Sequence, residues 1–182
     1  MKTSEIRLSF LAVLMIGALT GCSTAPTKSP DVSETIRKSL DQASLSDVSV
    51  SQDRDKGVVT LGGHVGSDAD KSQAESIAKS NAAGQVVANQ IAVVPPGVES
   101  EAKAVNSDLD KGIDKNMDAA LIKARLNKSV EYEVKNGVVT LKGAVNSESN
   151  RVRAEAIASR VPNVQQVVNE LEVKDRKATS SK

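Results

Sequence analysis

The chain has 182 residues, of which 24 are Lys or Arg and 23 are Asp or Glu, and its formal net charge at pH 7 is +1. It contains one cysteine and one histidine, which excludes an intrachain disulfide and leaves too few ligands for an ordinary zinc site or nucleophile–base pair. Aromatic residues make up 1% of the chain, so a hydrophobic core must consist of Val, Ile, Leu and Ala.

The N-terminus has the pattern of an export signal. A basic start at residues 1–7 is followed by an apolar stretch at residues 8–19, which is shorter than the roughly 20 residues that a membrane-spanning helix needs. The stretch ends in Leu19-Thr-Gly-Cys22, which resembles the lipobox of bacterial lipoproteins. That resemblance implies a signal peptide at residues 1–21 and acylation of Cys22, and several acyl chains hold a protein on a membrane durably.

The lipobox also bears on location. Position 23 is Ser rather than Asp, and by similarity to the enterobacterial sorting rule this favours the periplasmic face of the outer membrane. Anchoring in the inner membrane, facing the periplasm, is the alternative. Residues 22–30 are rich in Pro, Ser and Thr and are predicted to form a tether. Export, together with the lack of aromatic stacking platforms, argues against nucleic acid as a partner.

The body of the chain is a tandem repeat. Residues 57–65 read Gly-Val-Val-Thr-Leu-Gly-Gly-His-Val, and residues 137–145, eighty positions later, read Gly-Val-Val-Thr-Leu-Lys-Gly-Ala-Val. The match continues without a gap into the following segments, and so long a spacing indicates two domains rather than a solenoid. The predicted segments are a first domain at 31–94, a polar linker at 95–112, a second domain at 113–174 and a disordered tail at 175–182.

The first half of each copy predicts a helix and then a strand. Apolar residues at i, i+4 and i+8 define one helix face in each copy. They are Val32, Ile36 and Leu40 in the first copy and Ile113, Met117 and Leu121 in the second, where Ile122 and Leu126 offer a competing register. Strands are predicted near residues 48–52 and 130–134. Asn136-Gly137 then predicts a tight hairpin turn, because both positions tolerate positive φ.

The second half of each copy predicts an alternating strand, a helix and a last strand. The inward residues of the alternating strand are Val59, Leu61 and Val65 in the first copy and Val139, Leu141 and Val145 in the second. Gly63 and Gly143 share that register and are expected to let a helix approach closely. Ser67 and Ser147 are predicted N-caps of the following helix. The order α-β-β-α-β predicts an α+β fold, with a three-stranded mixed sheet and two helices on one face.

Three stretches in each copy resemble the BON domain of bacterial envelope proteins. They are the Gly-Val-Val-Thr-Leu-x-Gly-x-Val strand, the Ser-capped helix with Ala-Glu-x-Ile-Ala, and the last strand with Val-x-Asn-x-Leu/Ile-x-Val. The tandem arrangement behind a lipobox is similar to that of dual-BON outer-membrane lipoproteins. The resemblance implies binding to phospholipid or to envelope proteins, with no catalytic activity and no cofactor.

Two residue types are candidates for functional sites. His64 lies in the outward register of its strand and its counterpart is Ala144, so we expect a solvent-exposed residue rather than a catalytic base. Asn89 and Asn169 lie in the apolar register of the last strand, and a buried amide needs hydrogen-bond partners. We expect each to bond the backbone of a neighbouring turn rather than a ligand. No metal site and no catalytic residue is predicted.

Charge distinguishes the two copies. Residues 31–94 hold nine acids and six bases, whereas residues 113–174 hold eight acids and ten bases. The bases that we assign to a lipid-headgroup site, as a hypothesis, are Lys123, Arg125, Lys128, Arg151, Arg153 and Arg160. Each would contribute about 1 kcal/mol at an anionic surface. A flexible linker spanning roughly 23 Å would let the second domain reach the bilayer. Solvated helix faces are the alternative interpretation.

The sequence therefore predicts a non-enzymatic, lipid-anchored envelope protein. Its second domain binds anionic phospholipid and the whole supports outer-membrane integrity. The alternative is a periplasmic protein-interaction or chaperone-like adaptor in envelope or osmotic stress, which uses the open face of the sheet or an exposed strand edge. Under that alternative, Thr140→Lys on the outward strand face would abolish partner binding.

Overall fold

The computed structural model describes residues 28–174. The predicted signal peptide at 1–21, the predicted acylation site Cys22, most of the predicted tether at 22–30 and the predicted tail at 175–182 lie outside the described residues. Across residues 28–174, no helix combines the length and the apolar character needed to cross a membrane.

The helices are α1 Ser33–Gln42, α2 Asp68–Asn81, α3 Glu99–Ala124 and α4 Glu148–Ala158. The strands are β1 Val48–Asp53, β2 Val58–Val65, β3 Val86–Asn89, β4 Ala92–Val93, β5 Glu131–Lys135, β6 Val138–Lys142, β7 Ala144–Val145, β8 Gln166–Asn169 and β9 Glu172–Val173.

The chain folds into two copies of one α+β unit, as predicted. In the first module (α1 to β4), β2 lies between antiparallel β1 and parallel β3, and β4 extends the parallel pairing along the end of β2. In the second module (α3 to β9), β6 pairs with β5 and β8 in the same way, and β7 pairs with β9. Val59 and its counterpart Val139 are both fully buried, so the repeat in sequence is a repeat in structure.

Local signals at the helices are confirmed. The Ser67 hydroxyl accepts a hydrogen bond from the Asp70 amide at 3.2 Å, and Ser147 accepts one from the Asn150 amide at 3.2 Å. These contacts satisfy amides at the first turn, which has no intrahelical acceptors. The competing register in α3 is also settled: Ile113, Met117 and Leu121 are buried, whereas Ile122 is 59% exposed.

The predicted linker is mostly helix. α3 begins at Glu99, passes through Gly112 and continues into the predicted first helix of the second module. The Asp110 carboxylate accepts hydrogen bonds from the amides of Asn136 at 2.8 Å and Gly137 at 2.9 Å, which fixes the added turns to the hairpin. Ala, Glu and Lys in this polar stretch are good helix formers, and one glycine costs only about 1 kcal/mol. The flexible span of roughly 23 Å therefore does not apply.

The outward faces of the two sheets pack against each other. Their contact buries a small apolar cluster of Val58, Ala88, Val138 and Val168. These are two pairs of equivalent residues, so the contact is isologous, as in a twofold dimer. Thr140, which was expected to be outward and available to a partner, is only 5% exposed. The open sheet face invoked for an adaptor is thus occupied by the other module.

Polar contacts at the edge of this interface repeat the same symmetry. Lys56 in the first hairpin pairs with Glu170 at 2.7 Å, and Asn136 in the second hairpin donates to the Gln90 carbonyl at 2.8 Å. Lys56 is the counterpart of Asn136, and Gln90 that of Glu170. Each hairpin turn therefore contacts the short segment between the last two strands of the other module.

Gln166 adds a contact that the first module does not repeat. Its side-chain oxygen accepts from the Asn89 amide at 2.9 Å, and its side-chain nitrogen donates to the Val87 carbonyl at 2.7 Å. The side chain thus pairs with the backbone of β3 at the edge of the first sheet, where unpaired amides and carbonyls invite aggregation.

Asn89 and Asn169 each accept from the backbone amide two residues along, as in an Asx turn, which agrees with the prediction, and their contacts with the preceding helix were not predicted. The Asn89 side-chain amide donates to the Lys71 carbonyl at 3.3 Å and to Glu75 at 3.0 Å, both in α2, and its oxygen accepts from the Ile91 amide. Asn169 makes the equivalent three contacts, two with α4 and one with the Leu171 amide between β8 and β9. The repeated asparagine therefore ties the last strand to the preceding helix.

Gly63 and Gly143 allow a close approach, but the prediction that a helix makes this approach is wrong. Both have positive φ, at +84° and +108°. A Cβ at Gly63 would lie 2.1 Å from the backbone oxygen of Asp47, and one at Gly143 would lie 2.8 Å from that of Ser129. The close approach is thus made by the segment that leads into the neighbouring strand. No helix is involved at either contact.

Gly63→Ala should be strongly destabilising, and Gly84→Ala is its matched control. Gly84 has nearly the same φ of +83°, but a Cβ added there would meet nothing within 4 Å. The control should cost about 1–2 kcal/mol for the left-handed backbone alone. Gly63→Ala should cost a further 1–3 kcal/mol or so from overpacking. Urea unfolding followed by circular dichroism measures both, and equal losses would contradict the close approach.

Gln166→Glu should weaken the interface between the modules. The change removes the donor to the Val87 carbonyl and places a negative charge beside that oxygen, at a cost of about 1–3 kcal/mol in the free energy of unfolding. Gln165→Glu is the control, because its side chain already accepts from Lys71 at 3.2 Å and would gain an ion pair. A Gln165→Glu loss as large as that of Gln166→Glu would argue against the bridging role.

Candidate functional site

A groove between α3 and α4 holds three of the six basic residues singled out in the sequence. It has a volume of about 640 Å³. Its basic lining residues are Lys123, Arg153 and Arg160, and its apolar ones include Ala120, Ile157 and Val161. Arg153 and Ile157 lie four residues apart and so share one face of α4, and Arg160 follows in the turn after the helix ends at Ala158.

The three cations of this groove are exposed and without acidic partners. Lys123 lies in the last turn of α3, where a positive charge also interacts favourably with the helix dipole. Within residues 28–174, none of the three cations Lys123, Arg153 and Arg160 forms an ion pair. Their charge is therefore available to an anion, and the apolar floor gives that anion's non-polar part somewhere to pack.

The other three predicted headgroup residues lie elsewhere. Arg125 ends α3 with a left-handed backbone, and Lys128 follows it in the exposed turn. Arg151 is separate from the groove: its guanidinium pairs with Glu148 at 3.1 Å, and its carbonyl accepts from Asn169. Arg151 lies two positions before Arg153 on α4, so its side chain points to a different side of the helix. The structure thus gathers three of the six predicted residues around one groove.

Two exposed apolar residues next in sequence to groove cations were not assigned to the site from the sequence. Ile122 is 59% exposed and Val152 is 57% exposed, and each is the chain neighbour of a groove cation. Ile122 was visible only as a competing helix register. Val152 carries no signal in the sequence, because an isolated valine on a helix is ordinary. Exposed apolar side chains next to cations are typical of surfaces that touch a lipid headgroup region.

The first module provides an internal comparison. The counterparts of Lys123, Arg153 and Arg160 are Gln42, Gln73 and Ser80 respectively, all uncharged. The helices that carry them, α1 and α2, have the same buried faces as their counterparts. The groove charge therefore belongs to the second module and is not needed for the fold.

The histidine and the acidic residues complete the description of the polar side chains. His64 is exposed on β2, as expected, and pairs across the strands with Ala92. Between residues 28 and 174, no group of three His, Cys, Asp or Glu side chains is placed to hold a metal ion.

Comparison with solved structures finds CdsD, a structural protein of the type III secretion system of Chlamydia trachomatis. One structure of it is 14% identical and covers 78% of this chain and 91% of its own, with a TM-score of 0.35. The C-terminal domain of CdsD is also 14% identical, over 81% of this chain and 100% of its own, with a TM-score of 0.34. No curated protein matches the chain.

The comparison with protein families is decisive for classification. The BON domain matches twice, at residues 29–95 and 110–175, and so covers more than half of the chain. BON domains occur in periplasmic and envelope proteins, are associated with phospholipid, and are in general non-catalytic. The chain therefore belongs to the BON domain family and carries two copies of the domain in tandem.

Proposed function

We propose that this protein is a lipid-anchored component of the bacterial envelope whose second BON module binds anionic phospholipid in the α3–α4 groove. In this role it supports the integrity of the outer membrane from the periplasmic face. The observation that carries the proposal is a groove with three cations free of ion pairs in residues 28–174, above an apolar floor. A phospholipid offers the matching combination of an anionic headgroup and apolar chains.

Magnitudes favour weak, salt-sensitive attachment. Three cations at an anionic surface contribute about 3 kcal/mol in total, at about 1 kcal/mol each. Ile122 and Val152 can each add up to about 2 kcal/mol if their side chains become buried among lipid. Neither term alone gives durable binding, so an acyl anchor at Cys22 would be needed to keep the groove at the bilayer. Added salt screens the attraction between the cations and the anionic surface and leaves the apolar contribution of Ile122 and Val152 unchanged.

The tether limits where the groove can lie relative to the membrane. The Ser29 amide donates to the Arg54 carbonyl at 2.9 Å, so the N-terminal segment is already fixed to the first module at that residue. Only residues 23–28 would then separate an acylated Cys22 from this fixed point, and they span roughly 20 Å when fully extended. Since α3 and the sheet interface join the modules, both would stay close to the anchoring membrane.

Co-sedimentation of residues 23–182 with vesicles of phosphatidylglycerol and phosphatidylcholine tests the proposal without the leader or the acyl chain. The variant Lys123→Gln, Arg153→Gln and Arg160→Ser gives the second groove the residues of the first. We expect its affinity for the anionic vesicles to fall by roughly a hundredfold, which corresponds to the loss of about 3 kcal/mol. Binding by the unaltered chain should weaken as salt is added.

A second triple variant controls for net charge. Lys38→Gln, Lys103→Gln and Lys115→Gln removes three exposed cations away from the groove. We expect this control to lose much less affinity than the groove variant. Equal losses in the two triple variants would show a non-specific charge effect, and no binding by the unaltered chain at low salt would refute the proposal.

A further inference from the structure

β5 has an unpaired outer edge. It is the first strand of the sheet order β5-β6-β8, so one side of its backbone has no neighbouring strand. Asn136 and Gly137 form a two-residue turn with φ of 48° and 77°, and the flanking pair Lys135 and Val138 is hydrogen-bonded across it. Because pairing alternates along an antiparallel ladder, the amides and carbonyls of Tyr132 and Val134 point outward.

A second groove, separate from the cationic one, runs beside this edge. Its volume is about 450 Å³, and its walls are α3 between Lys103 and Asp114 and β5 from Tyr132 to Val134. That volume falls within the range of roughly 300–1,000 Å³ for ligand sites. An edge strand with a helix alongside can accept an extended peptide as an added strand, which pairs with the backbone and places alternate side chains against the helix.

The first module covers part of the corresponding edge of β1. Val50, the counterpart of Tyr132, has its carbonyl bonded by the Arg37 guanidinium at 3.3 Å. The chain at Ser29 also lies along the end of β1, where its amide bonds the Arg54 carbonyl. In the second module, the counterpart of Arg37 is Asp118, which cannot donate to a carbonyl. The edge of β5 thus lacks the cover that β1 has.

Two carboxylates lie near Tyr132: Asp114 is in the groove wall, which also holds Lys103 and Lys111, and Asp118 is one helical turn further along α3. The Tyr132 hydroxyl lies 2.9 Å from the Asp114 carbonyl oxygen and 2.9 Å from the Asp118 carboxylate. Burial and the hydrogen bond with Asp118 raise the pKa of Tyr132, so the hydroxyl stays protonated and holds α3 against the edge. Asp114 and Asp118 form no ion pair within residues 28–174, and both are exposed. A basic side chain would complement them.

We propose that the edge of β5 and the facing side of α3 bind an extended polypeptide segment as an additional strand, with a Lys or Arg of that segment reaching Asp114 and Asp118. The partner is a protein with an exposed, unstructured basic segment. This inference does not rest on phospholipid binding, which uses a different groove.

Selection of phage-displayed random eight-residue peptides on residues 23–182 tests the inference. We expect enriched peptides to carry Lys or Arg, and synthetic copies of them to bind the unaltered chain. Val134→Pro removes the outward amide without removing a bond of the β5–β6 ladder, whereas Val134→Ala shortens the side chain and keeps the amide. Binding should fall at least tenfold in the first variant and much less in the second.

Two further measurements keep the outcome decisive if Val134→Pro fails to fold. N-methylation of alternate backbone amides in a selected peptide should abolish its binding to the unaltered chain. The double variant Asp114→Asn, Asp118→Asn should weaken the binding of basic peptides at least fivefold. Asp108→Asn, which removes an acid paired with Lys111, should leave that binding unchanged. Failure to enrich any peptide, or binding that tolerates N-methylation at every position, would overturn the inference.

Discussion

The packing of the two sheets through their outward faces determines what the rest of the molecule can present. Each module alone would expose one sheet face, and the contact through Val58, Ala88, Val138 and Val168 covers both. Once those faces are buried, the surfaces left for partners are helix faces and strand edges. The groove between α3 and α4 is formed by helix faces, and the outer side of β5 is a strand edge.

Duplication explains why the proposed binding sites lie where the two copies differ. The parts that both modules keep are those that fold them: the alternating strand, the capped second helix and the asparagine that joins the last strand to that helix. The parts that diverge lie on the outside, where a substitution costs little stability. Gln73 and Arg153 occupy the same helix position, and only the second can attract an anion.

The sequence predicted those features that depend on neighbouring residues. A serine before an acidic first turn, an Asn-Gly turn and a period-two strand each have a local physical cause, and all three are found. The helix at residues 99–112 was missed because its polar composition matches a linker, and its anchoring by Asp110 depends on a hairpin about twenty-five residues further on.

The candidate site was predicted only in part, for a related reason. Composition identified an excess of basic residues on two helices of the second module, but not which of them share a groove. That depends on how α3 and α4 face each other, which separates Arg151 from Arg153 despite their closeness in sequence. Alternation likewise identified Thr140 as outward, yet it could not show that another sheet covers it. Tertiary contacts supply both answers.

The short connection between the modules has a consequence for how firmly they associate. Val94 is still bonded to β2 through the Val65 carbonyl, and α3 starts at Glu99, so only four residues separate the two folded parts. A short connection keeps joined partners at an effective concentration in the millimolar range. An apolar contact of four small side chains, too slight to hold two free molecules together, can therefore persist within one.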